Sequence, residues 1–208
     1  MSTPVEFPAA LLDLYQTSVV HRKAHGCDAY TFEDGPALMA LSGWKRPHRV
    51  LELGTALGYT ACCLAQGHAS ARVDTIEGDA THVALAREQI AKHALSHRIT
   101  VHHGQFDEML GQLETGYDLA FFDGFAPPPA TIARVRDLLA IGGILVCSNL
   151  QLGRGNAARQ LAQDLDDARR WQALPSIESG CTAVRLKLNS EQPPMSRAAS
   201  SAAWPIAG

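Results

Sequence analysis

The chain has no apolar run approaching the ~20 residues that a membrane span needs, so no membrane partner is expected. It has no excess of one charge: 18 Lys and Arg stand against 21 Asp and Glu, a formal net charge of −3, in 208 residues. That balance leaves no electrostatic footprint for nucleic acid or an anionic membrane. Cysteine is scarce. The five residues (Cys27, Cys62, Cys63, Cys147 and Cys181) are odd in number and include no CxxC pair. The pattern suits reduced, mostly buried thiols in a cytosol and argues against a disulfide framework or a zinc site. The opening MSTPVEFPAA has no basic segment followed by an apolar one, so a secretory signal is not expected and the reading is cytoplasmic. No internal repeat is present.

What the chain does have is alternation. After helical spacing over 8–25 and a short helix over 34–43, strands are expected at 48–53, 71–76, 98–103, 117–122 and 143–148. Helices are expected between and after them at 59–66, 80–94, 106–113, 129–140 and 156–169. Short apolar strands separated by helices imply an α/β fold, Rossmann-like and doubly wound, with a mostly parallel sheet. Two further strands, 171–175 and 181–188, predict an antiparallel C-terminal hairpin that completes a seven-stranded sheet. Residues 1–188 read as a single domain, and the Ser-, Ala- and Pro-rich segment 189–208 reads as a disordered tail.

The first strand runs into VLELGTALGYTA, residues 50–61. In a doubly wound sheet this first strand-to-helix turn is where a ligand sits. Gly54 and Gly58 enclose a G-x-x-x-G loop that lacks the middle glycine of a dinucleotide fingerprint, which argues against a dehydrogenase. The wider loop suits a carboxylate placed against the helix that Tyr59 and Thr60 open. Glu52, just before the turn, is placed to meet a cationic amino group. Glu77 ends the next strand 23 residues after Gly54, a spacing at which an acid takes ribose hydroxyls. An amino acid joined to a ribose and an adenine describes S-adenosylmethionine.

The same stretch resembles the first motif of the class I S-adenosylmethionine-dependent methyltransferases. Its GYT ending resembles the small O-methyltransferases of the catechol and caffeoyl-coenzyme A type. FEDGPALMAL (32–41), YDLAFFDG (117–124), IGGILVCSNLQLGRG (141–155) and LPSIESGCTAVRLK (174–187) continue the likeness in order. The resemblance implies that Glu52, Gly54 and Thr55 line the methionine end of the cofactor and that Thr60 donates to its carboxylate. It implies that Glu77 holds the ribose, that Gly104, Gln105 and Phe106 border the adenine, and that Asp123 lies near the sulfonium. It also implies N-terminal helices (1–45) covering the acceptor site, a small-molecule acceptor and a homodimer.

The sequence departs from the family at its metal ligands. Three oxygen ligands are usual: an Asp ending the fourth strand and an Asp-Asn pair ending the fifth. Here they read Asp123, Ser148 and Asn149, and the Lys usual a few residues past the first Asp is missing from Gly124–Pro129. A hydroxyl in place of a carboxylate makes an obligatory divalent metal doubtful, with Asp123 and Asn149 the ligands if an ion binds at all. Without an ion a general base must serve. Asp123 is a catalytic candidate, and His21 and His25 on the N-terminal helix are candidate bases. His48, His68, His82, His93 and His97 fall at turns or on polar helix faces and are assigned nothing. The expected function is methyl transfer from S-adenosylmethionine to a small hydroxylated acceptor. Two alternatives stay open: methylation of a modified tRNA base, and a cofactor-binding pseudoenzyme acting through protein interaction.

Overall fold

A computed structural model of the chain describes residues 7–27 and 30–189. The tail expected at 189–208 lies, beyond Asn189, outside the described residues. Two helices come first, α1 (Ala9–His25) and α2 (Gly35–Lys45). Strand and helix then alternate through β1 (Arg49–Leu53), α3 (Tyr59–Gly67), β2 (Arg72–Glu77), α4 (Ala80–Lys92), β3 (Ile99–His103), α5 (Phe106–Leu110), β4 (Tyr117–Phe122), α6 (Pro129–Leu138) and β5 (Leu139–Cys147). Helix α7 (Gly155–Leu165) and the hairpin β6 (Trp171–Ile177) and β7 (Thr182–Lys187) close the domain. The sheet order is β3-β2-β1-β4-β5-β7-β6, with β7 alone antiparallel to its neighbours β5 and β6. Among the described residues no helix is long and apolar enough to cross a membrane.

Strand alternation divides the core. Val50, Val73, Val101, Leu119, Phe121 and Val146 pack with α1, α2, α3 and α4. Leu51, Leu53, Ile76, Ala120, Phe122 and Leu145 pack on the other face with α6 and α7. Both faces are covered, which is why the strands read as apolar runs rather than as alternating ones. Glu52 shares the parity of Val50, so its carboxyl enters the first layer and is completely buried.

Several boundaries differ from the sequence expectation, among them α5, which ends at Leu110 rather than at 113, and α7, which ends at Leu165 rather than at 169; two differences follow from single backbone turns. β5 begins at Leu139 rather than at 143, because Tyr117 pairs with Leu139 and Leu119 then pairs with Ile144. The intervening residues bulge around Gly142, whose φ of 76° suits glycine. α4 ends at Lys92, and Ala94 at φ 56° turns the chain away from the helix. β1 sits between β2 and β4, so the chain leaves it in opposite directions along the sheet. The carboxyl ends of β1 and β4 therefore flank the topological switch point, where the ligand crevice of such a sheet lies.

Candidate active site

A cavity of about 450 Å³ opens at that switch point, a size ordinary for a cofactor-sized ligand. One wall comes from the β1–α3 loop (Gly54, Thr55, Ala56, Leu57) and the first residues of α3 (Tyr59, Thr60), joined by Glu77, Phe106 and Asp123. The other is built from Ser18 of α1, the segment before α2 (Cys27, Tyr30, Thr31, Phe32), and Gly124, Phe125, Asn149 and Leu152. No Lys or Arg is among these lining residues.

Gly54 is at the centre of this architecture. Its φ is +97°, and a Cβ there would lie 2.8 Å from the carbonyl oxygen of Asp123. Its N–H donates to Ile76 O, while Asp123 N–H donates to Leu53 O. The glycine lets the chain leaving β4 pass close beside the end of its parallel neighbour β1, and that close approach carries Asp123 to the cavity. Gly58, at φ +84°, caps α3, and a Cβ there would meet Ile90 of α4 at 3.3 Å. It serves helix packing and is not among the cavity lining. No side chain caps the first turn of α3, so its amides fit an anionic group such as a carboxylate.

The acids differ sharply in setting. Glu77 accepts from Ala56 N–H at 2.9 Å and from Asp79 N–H at 2.9 Å, which ties the glycine loop to the end of β2. Ala56 is held at φ 44° by this arrangement. Glu52 does not reach the cavity. It lies behind Thr55 and Thr60, accepts from Thr75 Oγ1 at 2.5 Å, and leaves its Oε1 without a partner. Burial pushes its carboxyl up to about 7, against the hydrogen bonds from Thr60 and Thr75. Burial likewise holds the Asp123 carboxyl well above the usual carboxylate range, opposed by the Ser148 hydrogen bond and reinforced by Glu52.

Asp123 Oδ1 accepts from Ser148 Oγ at 2.8 Å and from Asn149 Nδ2 at 3.3 Å. Ser148 Oγ also lies 2.9 Å from Phe122 O, and Asn149 Nδ2 donates to Gly124 O at 2.7 Å. Asn149 adopts φ 59° to face this way. The three positions thus present one carboxylate oxygen engaged by two donors, and two side chains that offer hydrogen rather than lone pairs. That donor set does not fit a hard divalent cation, which needs several converging oxygens with charge on them.

The remaining sequence candidates are dispersed. Phe106 lines the cavity and packs edge-on against Phe122. Gly104 abuts Met109 and Gln105 abuts Gly78, neither within the lining. His21 and His25 lie off the cavity. They group instead with His82, which is 5% exposed and does line it. His82 is therefore not on a polar helix face as expected. The first turn of α4, capped by Asp79, is covered by the end of α1. The HRKAHGC spacing of residues 21–27 carried a signal for this cluster: His21 and His25 share one helix face, two residues ahead of a cysteine. Nothing in the sequence brought His82 to them.

A model of the methyltransferase domain matches residues 51–149. The chain is 31% identical over 160 residues to a tRNA1(Val) (adenine(37)-N6)-methyltransferase of Parabacteroides distasonis, covering 70% of this chain and 67% of that one. It is 28% identical to a catechol O-methyltransferase of Mycobacterium tuberculosis, covering 76% and 74%. Its fold matches an O-methyltransferase from Streptomyces achromogenes involved in tomaymycin synthesis, solved in complex with S-adenosylmethionine. The TM-score is 0.75 at 22% identity, covering 89% and 92%. Switch-point cavity, uncapped helix, strand-end acid and these likenesses agree, and the chain belongs to the class I S-adenosylmethionine-dependent methyltransferases.

Proposed function

We propose that the protein methylates a hydroxyl of a small acceptor and does so without an obligatory metal. The observation that carries this reading is the donor set around Asp123: a cavity-lining carboxyl that is made more basic by burial and is oriented by Ser148 and Asn149 rather than by an ion. When bound, S-adenosylmethionine supplies a methyl group already activated on a positively charged sulfur. The protein's own work is then alignment and proton removal. Glu77 fits the ribose hydroxyls and the first amides of α3 fit the carboxylate. Thr55 and Thr60 line the methionine end, with the buried carboxyl of Glu52 behind them. Asp123 is placed to take the proton of the acceptor's hydroxyl. Tyr30, Phe32 and Phe125 give the acceptor wall its aromatic character. His21 and His25 receive no proton-transfer role, because neither lines the cavity. The protein acts in the cytosol, as a homodimer, with helices α1 and α2 covering the acceptor side.

A second reading, methylation of a tRNA base, is favoured by the name of the Parabacteroides relative. The net charge of −3 and a cavity wall without Lys or Arg weigh against it. Methyl transfer from isotope-labelled S-adenosylmethionine, measured in parallel on a panel of phenols and catechols and on total tRNA, separates the two. Turnover on tRNA alone would overturn the proposal, and absence of turnover on every acceptor would support a cofactor-binding module without catalysis.

A further inference from the structure

We infer that His21, His25, Cys27 and His82 form a binding site for a zinc-class transition metal, closed by four protein ligands, that fastens the end of α1 to the first turn of α4. One donor atom from each residue lies within 4.8 Å of all the others. His21 and His25 stand one helical turn apart with rings stacked at 4.9 Å, and each ring lies 5.2 Å from that of His82. Cys27 Sγ is 3.7 Å from His82 Nε2. In a tetrahedral zinc site, metal–nitrogen distances of ~2.0 Å and a metal–sulfur distance of ~2.3 Å place donors roughly 3.3–3.8 Å apart. The Cys27–His82 pair already has that separation, and the others need to close by about 1 Å, within the reach of side-chain rotation.

Two further observations point to a ligand. His21 Nε2 is buried without any hydrogen-bond partner, a costly arrangement for which a metal gives a use. On the far side of His82, Nδ1 lies 3.9 Å from Glu77 Oε1. That leaves Nε2, the atom facing Cys27, as the metal-binding nitrogen, with a carboxylate placed to support the ring from behind. Three imidazoles and a thiolate select zinc or cobalt over magnesium. Binding releases the Cys27 thiol proton to solvent, so the loaded site carries one net positive charge. With four protein ligands the metal has no open position and is structural. Its place gives it a second consequence. Cys27 and His82 both line the cavity, so the metal joins the acceptor-side helix to the strand-end acid of the cofactor side.

The site is tested on full-length, tag-free protein, depleted with a chelator and titrated with Co²⁺ and with Zn²⁺. We expect one metal per chain by mass spectrometry, a near-ultraviolet thiolate-to-cobalt absorption, visible bands of tetrahedral cobalt, and a rise in melting temperature with zinc. Cys27→Ser should remove the thiolate absorption, and both it and His25→Ala should weaken cobalt binding by more than about tenfold, since even outer-shell partners act on that scale. His25 is exposed, so its loss tests the site without emptying the core. Asp123→Asn should leave the cobalt spectrum unchanged, which separates this site from the methyl-transfer centre and makes the result independent of the proposed activity. Stoichiometry below about 0.1 per chain in excess metal, or cobalt spectra and affinities identical in wild type, Cys27→Ser and His25→Ala, would overturn the inference.

Discussion

Replacing Glu52 by Gln should flatten the pH dependence of stability. Glu52 is fully buried, one of its oxygens has no partner, and burial pushes its pKa from the ordinary 4.5 to about 7. Between those values the native protein keeps a proton that the unfolded chain has released. The stability Glu52 contributes is fully present below about pH 4.5 and is lost as pH rises through about 7. Between pH 5 and pH 8 the loss amounts to about 2.5 kcal/mol. Gln preserves the shape and can still accept from Thr75, but it does not titrate. The unfolding free energy of Glu52→Gln minus that of wild type should therefore rise by about 2.5 kcal/mol across this interval. Taking the difference cancels the histidines and surface acids. Asp123, whose carboxyl is raised partly by the charge on Glu52, shifts in the same direction when that charge is removed. Urea titrations at pH 5, 6, 7 and 8, followed by the fluorescence of the buried Trp171 and by circular dichroism, measure the quantity directly. A difference that stays constant within about 0.5 kcal/mol, or that falls with pH, would refute a buried Glu52 that is protonated in the native state.

Gly54→Ala should cost at least about 2 kcal/mol, because the position combines φ +97° with a carbonyl 2.8 Å from the added carbon; thermal melting that places the variant within about 1 °C of wild type would contradict that close approach. Glu77→Ala should weaken S-adenosylmethionine binding by roughly 1.5–3 kcal/mol, read by calorimetry, and an unchanged affinity would remove Glu77 from the ribose site. Turnover of metal-depleted protein should not rise on adding Mg²⁺, whereas Ser148→Asp, which sets a second carboxylate against Asp123, should create measurable Mg²⁺ or Mn²⁺ binding; Mg²⁺-dependent activity in the wild type would sink the metal-free proposal. Deleting residues 190–208 should leave the melting temperature and cofactor affinity unchanged, and a large drop would show that this segment docks on the domain.

The fold was legible because the strands are apolar on both faces and the helices between them are short, so period and length sufficed. Two of its misread boundaries are set by single backbone turns, Gly142 at the start of β5 and Ala94 after α4, which hydrophobic period does not encode. In the site, Gly54 was legible as a point of close approach, but the partner it approaches is the Asp123 carbonyl of the protein itself. Glu52 was legible as an acid at a strand end. That it lies behind the threonines rather than on the cavity follows from the strand parity it shares with Val50. Ser148 was legible as a departure from the family and Asn149 as the position that keeps its pattern, while their turning of hydrogens toward Asp123 required the backbone of Asn149 to be seen. His82 was not legible at all, because its burial depends on where α1 lies.

The close approach of the chain leaving β4 to Gly54 has a bearing on how this protein can diversify. The glycine loop and Asp123, proposed above to hold the cofactor and to face the acceptor, touch through backbone, so a change that displaces one displaces the other. Under that proposal, selectivity for new acceptors is most freely altered where the cavity wall neither passes through that contact nor enters the core, at Tyr30 and Phe125. Libraries confined to those two positions should retain cofactor affinity while changing the range of accepted hydroxyls. Variation at 54–56 or 123–124 should cost both together.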